Sequence, residues 1–308
     1  DAVGDTRVPH NLNDYQVGSV RDDFEFGPLI LISMKAAREA IRRHGMIPDV
    51  VFAAFYDMRL KISIDFPVRH IDELLYTAAR DVVTNEVDQF AYVDMSQAAA
   101  QAEMERVFTA YLRETGAYVR GDDLSGLPHG SLQFPFEASV IIPVKNRNGT
   151  IADAVESAFS QKTDFPFNVI VVDNYSTDGT TAVLRRLSDR YATLTHLIPD
   201  RKDLGIGGCW NEAVRSDHCG RYAVQLDSDD LYAGPLTLQR MIDVFKRDQC
   251  AMVIGSYTIV DFDLNEIPPG LIDHREWTRE NGHNNALRVN GMGAPRAYRT
   301  DLVSRMPF

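Results

Sequence analysis

Three carboxylates stand within four residues in the run Gln225-Leu226-Asp227-Ser228-Asp229-Asp230. They follow Arg221-Tyr222-Ala223-Val224, so a short strand of buried character ends abruptly in like charges. Charges this close repel one another, and no fold requires them at the end of an apolar strand. A divalent cation would remove the repulsion, and hard oxygen ligands suit Mg²⁺ or Mn²⁺. An ion held by one or two carboxylates keeps positions open for the phosphates of a substrate. The plainer alternative is an acidic strand-to-helix turn, with Asp230 near the start of a helix opening around Pro235. The hexapeptide alone leaves both open.

A second acid ends a second apolar run, Asn168 to Asp173. An ionised carboxylate only accepts hydrogen bonds, so Asp173 suits a ligand N–H donor such as a base imide. The glycines at Gly205, Gly207 and Gly208 fall short of a dinucleotide fingerprint, because the third glycine would have to stand at Trp210. They are expected to form a loop that lets backbone approach a phosphate or sugar, with Asn211 on the helix that follows.

Elements must bring these residues together. From Phe136 onward, strands alternate with helices. Strands are expected at Ala138–Val144, Asn168–Asp173, Thr193–Ile198, through the acidic run, and at Ala251–Val260. Between them lie a helix from Ile151 capped by Thr150, one carrying Val183, Leu187 and Tyr191, a loop plus helix from Gly205 to Ser216, and one from Pro235 to Asp248. Crossovers of this length imply an α/β fold with a mostly parallel sheet flanked by helices. Ligands of such sheets gather beyond the carboxyl ends of the strands, where Asp173 and Asp227 can face one crevice. Asp178 and Gly179 are assigned to a turn and helix start.

The first 130 residues read as a mixed helical and α+β segment. Helices are expected at Ile32–His44 and from Asp94 to Thr115, a strand or turn at Val68–Ile71, a helix or strand at Leu74–Ala79, and a loop at Gly121–Ser131.

Composition bounds the rest. The chain has 308 residues, 44% hydrophobic and 25% charged, as in globular proteins. A net charge of -12 argues against a nucleic-acid partner, though not against a nucleotide held through a cation. Cys209, Cys219 and Cys250 are odd in number and lack metal-ligand spacing, which favours a reducing compartment. No apolar run reaches the roughly 18 residues of a membrane span, so a cytoplasmic location is expected, with peripheral membrane attachment left open.

Four motifs in order, I-I-P-V-K-N-R, V-V-D-N-Y-S-T-D-G-T, G-I-G-G-C-W-N-E-A and Q-L-D-S-D-D, resemble the family-2 glycosyltransferases of the GT-A fold. The resemblance covers Phe136 to Phe308. It implies a nucleotide-binding sheet over residues 131–308 and transfer, with inversion, of a sugar from a nucleoside-diphosphate-sugar donor to a hydroxyl of a glycan or other acceptor. It places the loop with Pro143, Lys145, Asn146 and Arg147 beside the nucleotide, gives Asp173 to the base and Asp227 to the ribose with Ser228 next to it, and gives Asp229 to Mn²⁺ or Mg²⁺ bridging the diphosphate. The family carries an arginine where this chain has Trp210, so Arg201 or Lys202 is expected to supply that charge.

The resemblance also leads one to expect an E-D pair downstream, supplying the base that deprotonates the acceptor. No such pair occurs among Asp261, Asp263, Glu266, Asp273, Glu276 and Glu280, so no catalytic base is assigned. His274 and His283 are weaker candidates. The domain is therefore expected to be cut short at its C-terminal end. Phe55 to Ile62 and His70 to Tyr76 are similar to the family's C-terminal stretch, with Ala54-Phe55 where the acids belong. Residues 1–130 are thus expected to be the tail of a preceding, divergent unit, whose acid could come from Asp22 or Asp23. A non-catalytic nucleotide-sugar-binding module is the alternative.

Overall fold

The computed structural model describes residues 2–3, 6–7, 9–77, 98–123, 126, 130, 132–274, 278, 280–289 and 295–306. The chain divides into two units, Asp1–Leu124 with Ile259–Gly291, and Ser125–Thr258 with Met292–Phe308. The return of residues 259–291 to the first unit is marked by no change of composition.

In the first unit β1 (Ala2–Val3) pairs with β2 (Thr6–Arg7), and three helices follow: α1 (Met34–His44), α2 (Ala54–Asp65) and α3 (Ala98–Glu114). Helix α1 starts two residues later than its periodicity suggests, because the Ser33 hydroxyl accepts from the Ala36 amide and caps it there. Helix α2 has no cap of its own. The amides of the residues leading into it, Val51, Phe52 and Ala53, donate to the Glu103 carboxylate of α3. Val20, Ala53, Tyr56, Leu60, Val107, Phe108 and Leu112 form the core. Val68–Ile71 is irregular rather than a strand, as is the stretch from 74 to 77; residues 78 and 79 lie outside the described residues, as do 94–97 of the third expected helix.

The second unit is built on a six-stranded sheet in the order β5-β4-β3-β6-β10-β7. Its members are β3 (Ala138–Val144), β4 (Phe167–Asp173), β5 (Leu194–Leu197), β6 (Tyr222–Gln225), β7 (Met252–Ile254) and β10 (Arg296–Arg299). Pairs among β3, β4, β5 and β6 are parallel, and β10 enters antiparallel to both neighbours. The fold is thus of the expected α/β class, with a mostly parallel sheet flanked by helices. Helices cover both faces, which is why the central strands read as unbroken apolar runs. Val140, Ile142, Val169, Val171 and Val224 pack with α4 (Ile151–Phe159), α5 (Thr180–Arg190) and α7 (Thr237–Asp248). On the opposite face, Ile141, Ile170, Val172 and Ala223 pack with α6 (Ile206–Val214).

One expected strand, Ala251–Val260, is two. Pro295 lies so close to Gly255 that a Cβ there would sit 2.7 Å from its ring, and the Gly255 amide donates to the Pro295 carbonyl (2.8 Å). The chain breaks pairing at this glycine, and β8 (Tyr257–Val260) pairs instead with β9 (Glu266–Ile272). A 3-10 turn at Gly121–Asp123 and two short helices, α8 (Gly282–Asn285) and α9 (Thr300–Val303), complete the described elements.

Candidate functional site

Strands β3 and β6 part company at their carboxyl ends. Their pairing runs from Ala138 to Ile141 of β3, whereas β3 and β4 stay paired through Val144 and Asp173. The last bond to the β6 side runs from the Leu226 amide to the Ile141 carbonyl (3.1 Å). Two residues further along, Pro143 faces that same side, where no partner remains to miss its absent N–H. A proline in a central strand is tolerated here for that reason. The gap falls where the strand order reverses direction, the position at which open parallel sheets form a ligand crevice.

The loops leaving β3 and β4 hold one another in place. The Asn146 amide donates to Ser176 Oγ (3.0 Å), the Arg147 amide to Thr180 Oγ1 (2.9 Å) and the Asn148 amide to Asp178 Oδ2 (3.0 Å). In return the Thr177 amide donates to Asn146 Oδ1 (2.7 Å). Asn146 and Tyr175 take left-handed backbone conformations, φ 56° and 58°. Asp178 also accepts from the Thr180 amide and hydroxyl, and Gly179 at φ 101° starts α5, the turn-forming roles expected of both.

Asp173 is fully buried. Its Oδ1 accepts from the Ser176 amide (3.0 Å) and its Oδ2 from Thr181 Oγ1 (2.5 Å). Burial alone would raise its pKa, but these hydrogen bonds outweigh burial and hold it below the ordinary carboxylate range. His196 Nε2 lies 3.4 Å from Oδ2, too poorly aligned to bond. With the neighbouring Asn174 Oδ1, it is a buried polar atom without a hydrogen-bond partner among the described residues.

Beyond β6, Asp229 is met by Arg147, whose Nε donates to Oδ2 at 3.2 Å, the two side chains being 41% and 49% exposed. Thr150, expected to cap α4, makes no cap bond. Its hydroxyl donates to the Ser228 carbonyl (2.9 Å) and ties the first loop to the acidic one. Gln225 Nε2 donates to Asp227 Oδ1 (2.7 Å). The Asp230 side chain still reaches solvent, yet desolvation of its carboxyl, then repulsion from Asp227 and Asp229, push its pKa up to about 6. Repulsion is the part that a cation would relieve.

Among the described residues no three His, Cys, Asp or Glu side chains converge as a complete cation cage. One half-exposed carboxylate beside a repelled one fits a different class, the Mg²⁺ or Mn²⁺ ion that takes its remaining ligands from substrate phosphates.

The loop after β5 is stitched to the same cluster. Asn174 Nδ2 donates to the Leu204 carbonyl (2.6 Å) and the Tyr175 hydroxyl to the Pro199 carbonyl (2.5 Å). Lys202 is exposed, with its ammonium 5.3 Å from the Tyr175 ring centre, whereas Arg201 is taken up by two bonds to Asp203. The glycines expected in a loop are mostly helical, since α6 begins at Ile206. A Cβ on Gly208 would meet the Leu204 side chain at 2.8 Å, so packing accounts for that glycine. Trp210 is buried edge-on against Tyr298 of β10, and Asn211 follows it on α6.

Of the residues named from sequence, Pro143 and Asp173 stand near the ends of β3 and β4, while Asn146 and Arg147 lie in the loop after β3 and Asp227, Ser228 and Asp229 in the loop after β6; Lys145 is exposed beside Asn146. Sequence reading gave no site role to Thr150, Thr181, His196, Gln225 or Arg296, whose Nε donates to Gln225 Oε1 at 2.7 Å. Of the acceptor-side candidates, Asp261 accepts from the Asp263 and Asn265 amides and closes a hairpin turn. His283 Nε2 bonds to the Val119 carbonyl (2.6 Å), and Glu276 lies outside the described residues.

The family model for Glycosyl transferase family 2 matches residues 139–305, more than half the chain. The uncharacterized protein Rv1520 of Mycobacterium tuberculosis is 26% identical over 109 residues, 35% of this chain and 31% of that one. The uncharacterized glycosyltransferase YfnE of Bacillus subtilis is 30% identical over 121 residues, 39% and 30% of the two chains. Among solved structures, the mannosyltransferase PcManGT of Pyrobaculum calidifontis, in complex with GDP-Man and Mn²⁺, is 17% identical at a TM-score of 0.42, covering 70% of this chain and 57% of that one. The chain spans about a third of the length of these two curated relatives. Among the described residues no helix is long and apolar enough to cross a membrane. With loops and acids in the order its motifs require, and a family match across the whole sheet, the chain belongs to glycosyl transferase family 2.

Proposed function

We propose that the second unit binds a nucleoside-diphosphate sugar with a divalent cation and serves a metal-dependent, inverting glycosyltransferase acting on a glycan or other hydroxyl acceptor. One observation carries this reading. The loops after β3, β4 and β6 are bonded to one another at one end of the sheet, and Arg147 of the first reaches Asp229 of the third.

In this reading Asp173 and the unpartnered polar atoms of Asn174 and His196 face the base. The Pro143–Arg147 loop and Ser228 line the nucleotide, and Asp227 accepts from a ribose hydroxyl. Lys202 rather than Arg201 turns toward the diphosphate, because Asp203 already neutralises Arg201; Asn211 lies beside the sugar. Asp229 would hold Mn²⁺ or Mg²⁺, which when bound stabilises negative charge on the departing nucleoside diphosphate. Arg147, now on Asp229, is freed to meet an anionic group.

The test is a thermal-shift screen of UDP-, GDP- and dTDP-sugars with and without Mn²⁺, followed by turnover on each hit. Metal-dependent binding is expected. Asp229→Asn should lower turnover by at least ~10²-fold, the scale of losing one electrostatic stabiliser; unchanged metal-dependent binding and turnover would defeat the metal assignment. Saturable binding without any transfer would favour the non-catalytic module instead.

A further inference from the structure

Gln225 is the last residue of β6 and Arg296 the first of β10. The antiparallel register of β10 on β6 sets Ala297 opposite Val224, and its next step brings Arg296 across from Gln225. There Arg296 Nε donates to Gln225 Oε1 at 2.7 Å, and Gln225 Nε2 donates to Asp227 Oδ1 at 2.7 Å. Gln225 is buried, so its amide cannot turn to water for other partners.

A carboxamide has one acceptor end and one donor end. Reversed, its oxygen would face a carboxylate oxygen and its NH₂ a guanidinium, both repulsive. Arg296 therefore decides which way the amide points, and the amide decides where Asp227 Oδ1 lies. Among the described residues Asp227 Oδ2 has no hydrogen-bond partner, so one oxygen is fixed by the protein while the other stays open.

We propose that Arg296, acting through Gln225, is a positioning residue that aims the open oxygen of Asp227 at a ribose hydroxyl of the bound nucleotide. This rests on the donor-binding reading above. The relay is a selectivity device: it rewards a ligand that can donate a hydroxyl proton at that place and gives nothing to one that cannot.

The experiment combines calorimetry with NMR on the full chain. UDP, GDP and their 2′- and 3′-deoxy forms are titrated with Mn²⁺ into wild type, Arg296→Ala, Gln225→Ala and the double variant. The Asp227 ¹³Cγ and Gln225 side-chain ¹⁵NH₂ signals are followed without ligand. Arg296→Ala should weaken the ribonucleotide about tenfold, the low end of the effect of losing a supporting partner at a binding site. The penalty should nearly vanish for one deoxy form and in the Gln225→Ala background. The Asp227 signal should move in both single variants, and Arg296→Met, which keeps the aliphatic stem, should repeat the result if Arg296→Ala folds poorly. An unmoved Asp227 signal overturns the relay. Equal penalties for ribo- and deoxynucleotides overturn the ribose role, and additive effects of the two substitutions overturn the relay. A chain that binds neither UDP nor GDP removes the donor reading and the ribose role together, while the NMR signals still decide the relay.

Discussion

The two units of this chain solve the same problem with different chemistry. In the second, both faces of the sheet are mainly apolar, the Ser139–Asn168 and Arg299–Asp301 bonds being largely buried polar exceptions, and most polar contacts lie at the loops that follow the strands. In the first, charged side chains do much of the joining. Arg59 is buried and donates to the Ser19 and Arg21 carbonyls, while stacking on Phe26 and Tyr56. Arg288 bonds Asp22 and Gln101, and His44 stands between Asp65 (2.8 Å) and Glu114 (3.0 Å). One unit spends its polar groups on a crevice, the other on its own cohesion. The apolar sheet core of the second should therefore tolerate changes of pH and salt that the first does not.

The largest expected effect follows from the pairing of the buried Arg288 with the partly buried Asp22. Arg288→Ala leaves this carboxylate largely desolvated and uncompensated, which costs about 3–5 kcal/mol. Hydrogen exchange should show the loss in the first unit and leave the sheet amides of the second protected; equal loss in both would erase the distinction. Next is Ile142→Ala in β3, where a fully buried side chain is removed. It should cost about 2–5 kcal/mol, by the same amount at low and high salt in denaturant titrations.

The acidic loop is the exception that sharpens the comparison. The Asp230 carboxyl has a folded pKa raised to about 6, above its unfolded value, so the folded state binds the proton more tightly. Its contribution to stability is present at low pH and is lost as pH rises from about 4 to 6. Asp230→Asn should remove that part of the fall in melting temperature, and saturating Mn²⁺ should reduce it in wild type. A slope identical in variant and wild type would contradict the assignment.

The smallest effect belongs to His44. Burial works against its cation, but the bonds to Asp65 and then Glu114 outweigh burial and raise its pKa above 6.5. Its contribution is complete below pH 6.5 and fades as pH rises through the raised value. His44→Gln should flatten the stability of the first unit across that window, as read by thermal melts at successive pH values.

What the sequence showed and hid follows from where each signal lies along the chain. Strands β3 and β4 were legible because burial on both faces writes an unbroken apolar run. Asp173 and Asp229 stood out because a carboxylate at the end of an apolar run is conspicuous. Helix α2 was not legible, since the amides leading into it are held by Glu103, 52 positions from Val51, and its apolar residues are mixed with the buried Asp57 and Arg59. Strand β10 is four residues long with an arginine at each end, and its partner Gln225 is 71 positions away from Arg296. Thr150 carried a cap-like signature, but its hydroxyl found the Ser228 carbonyl, a partner no local pattern announces.

The bonds that stitch the crevice loops have a consequence for how this surface can change. Most of them join a side chain of one loop to the backbone of another: Ser176, Thr180 and Asp178 hold residues 146–148, Asn146 holds Thr177, and Thr150 holds Ser228. The shape of each loop is thus written partly in the others. Such a surface is not modular. A graft of residues 145–150 into a related scaffold should keep its conformation only when residues 174–181 travel with it, and substitutions at Asn146 and Ser176 should be accepted more readily as a matched pair than one at a time.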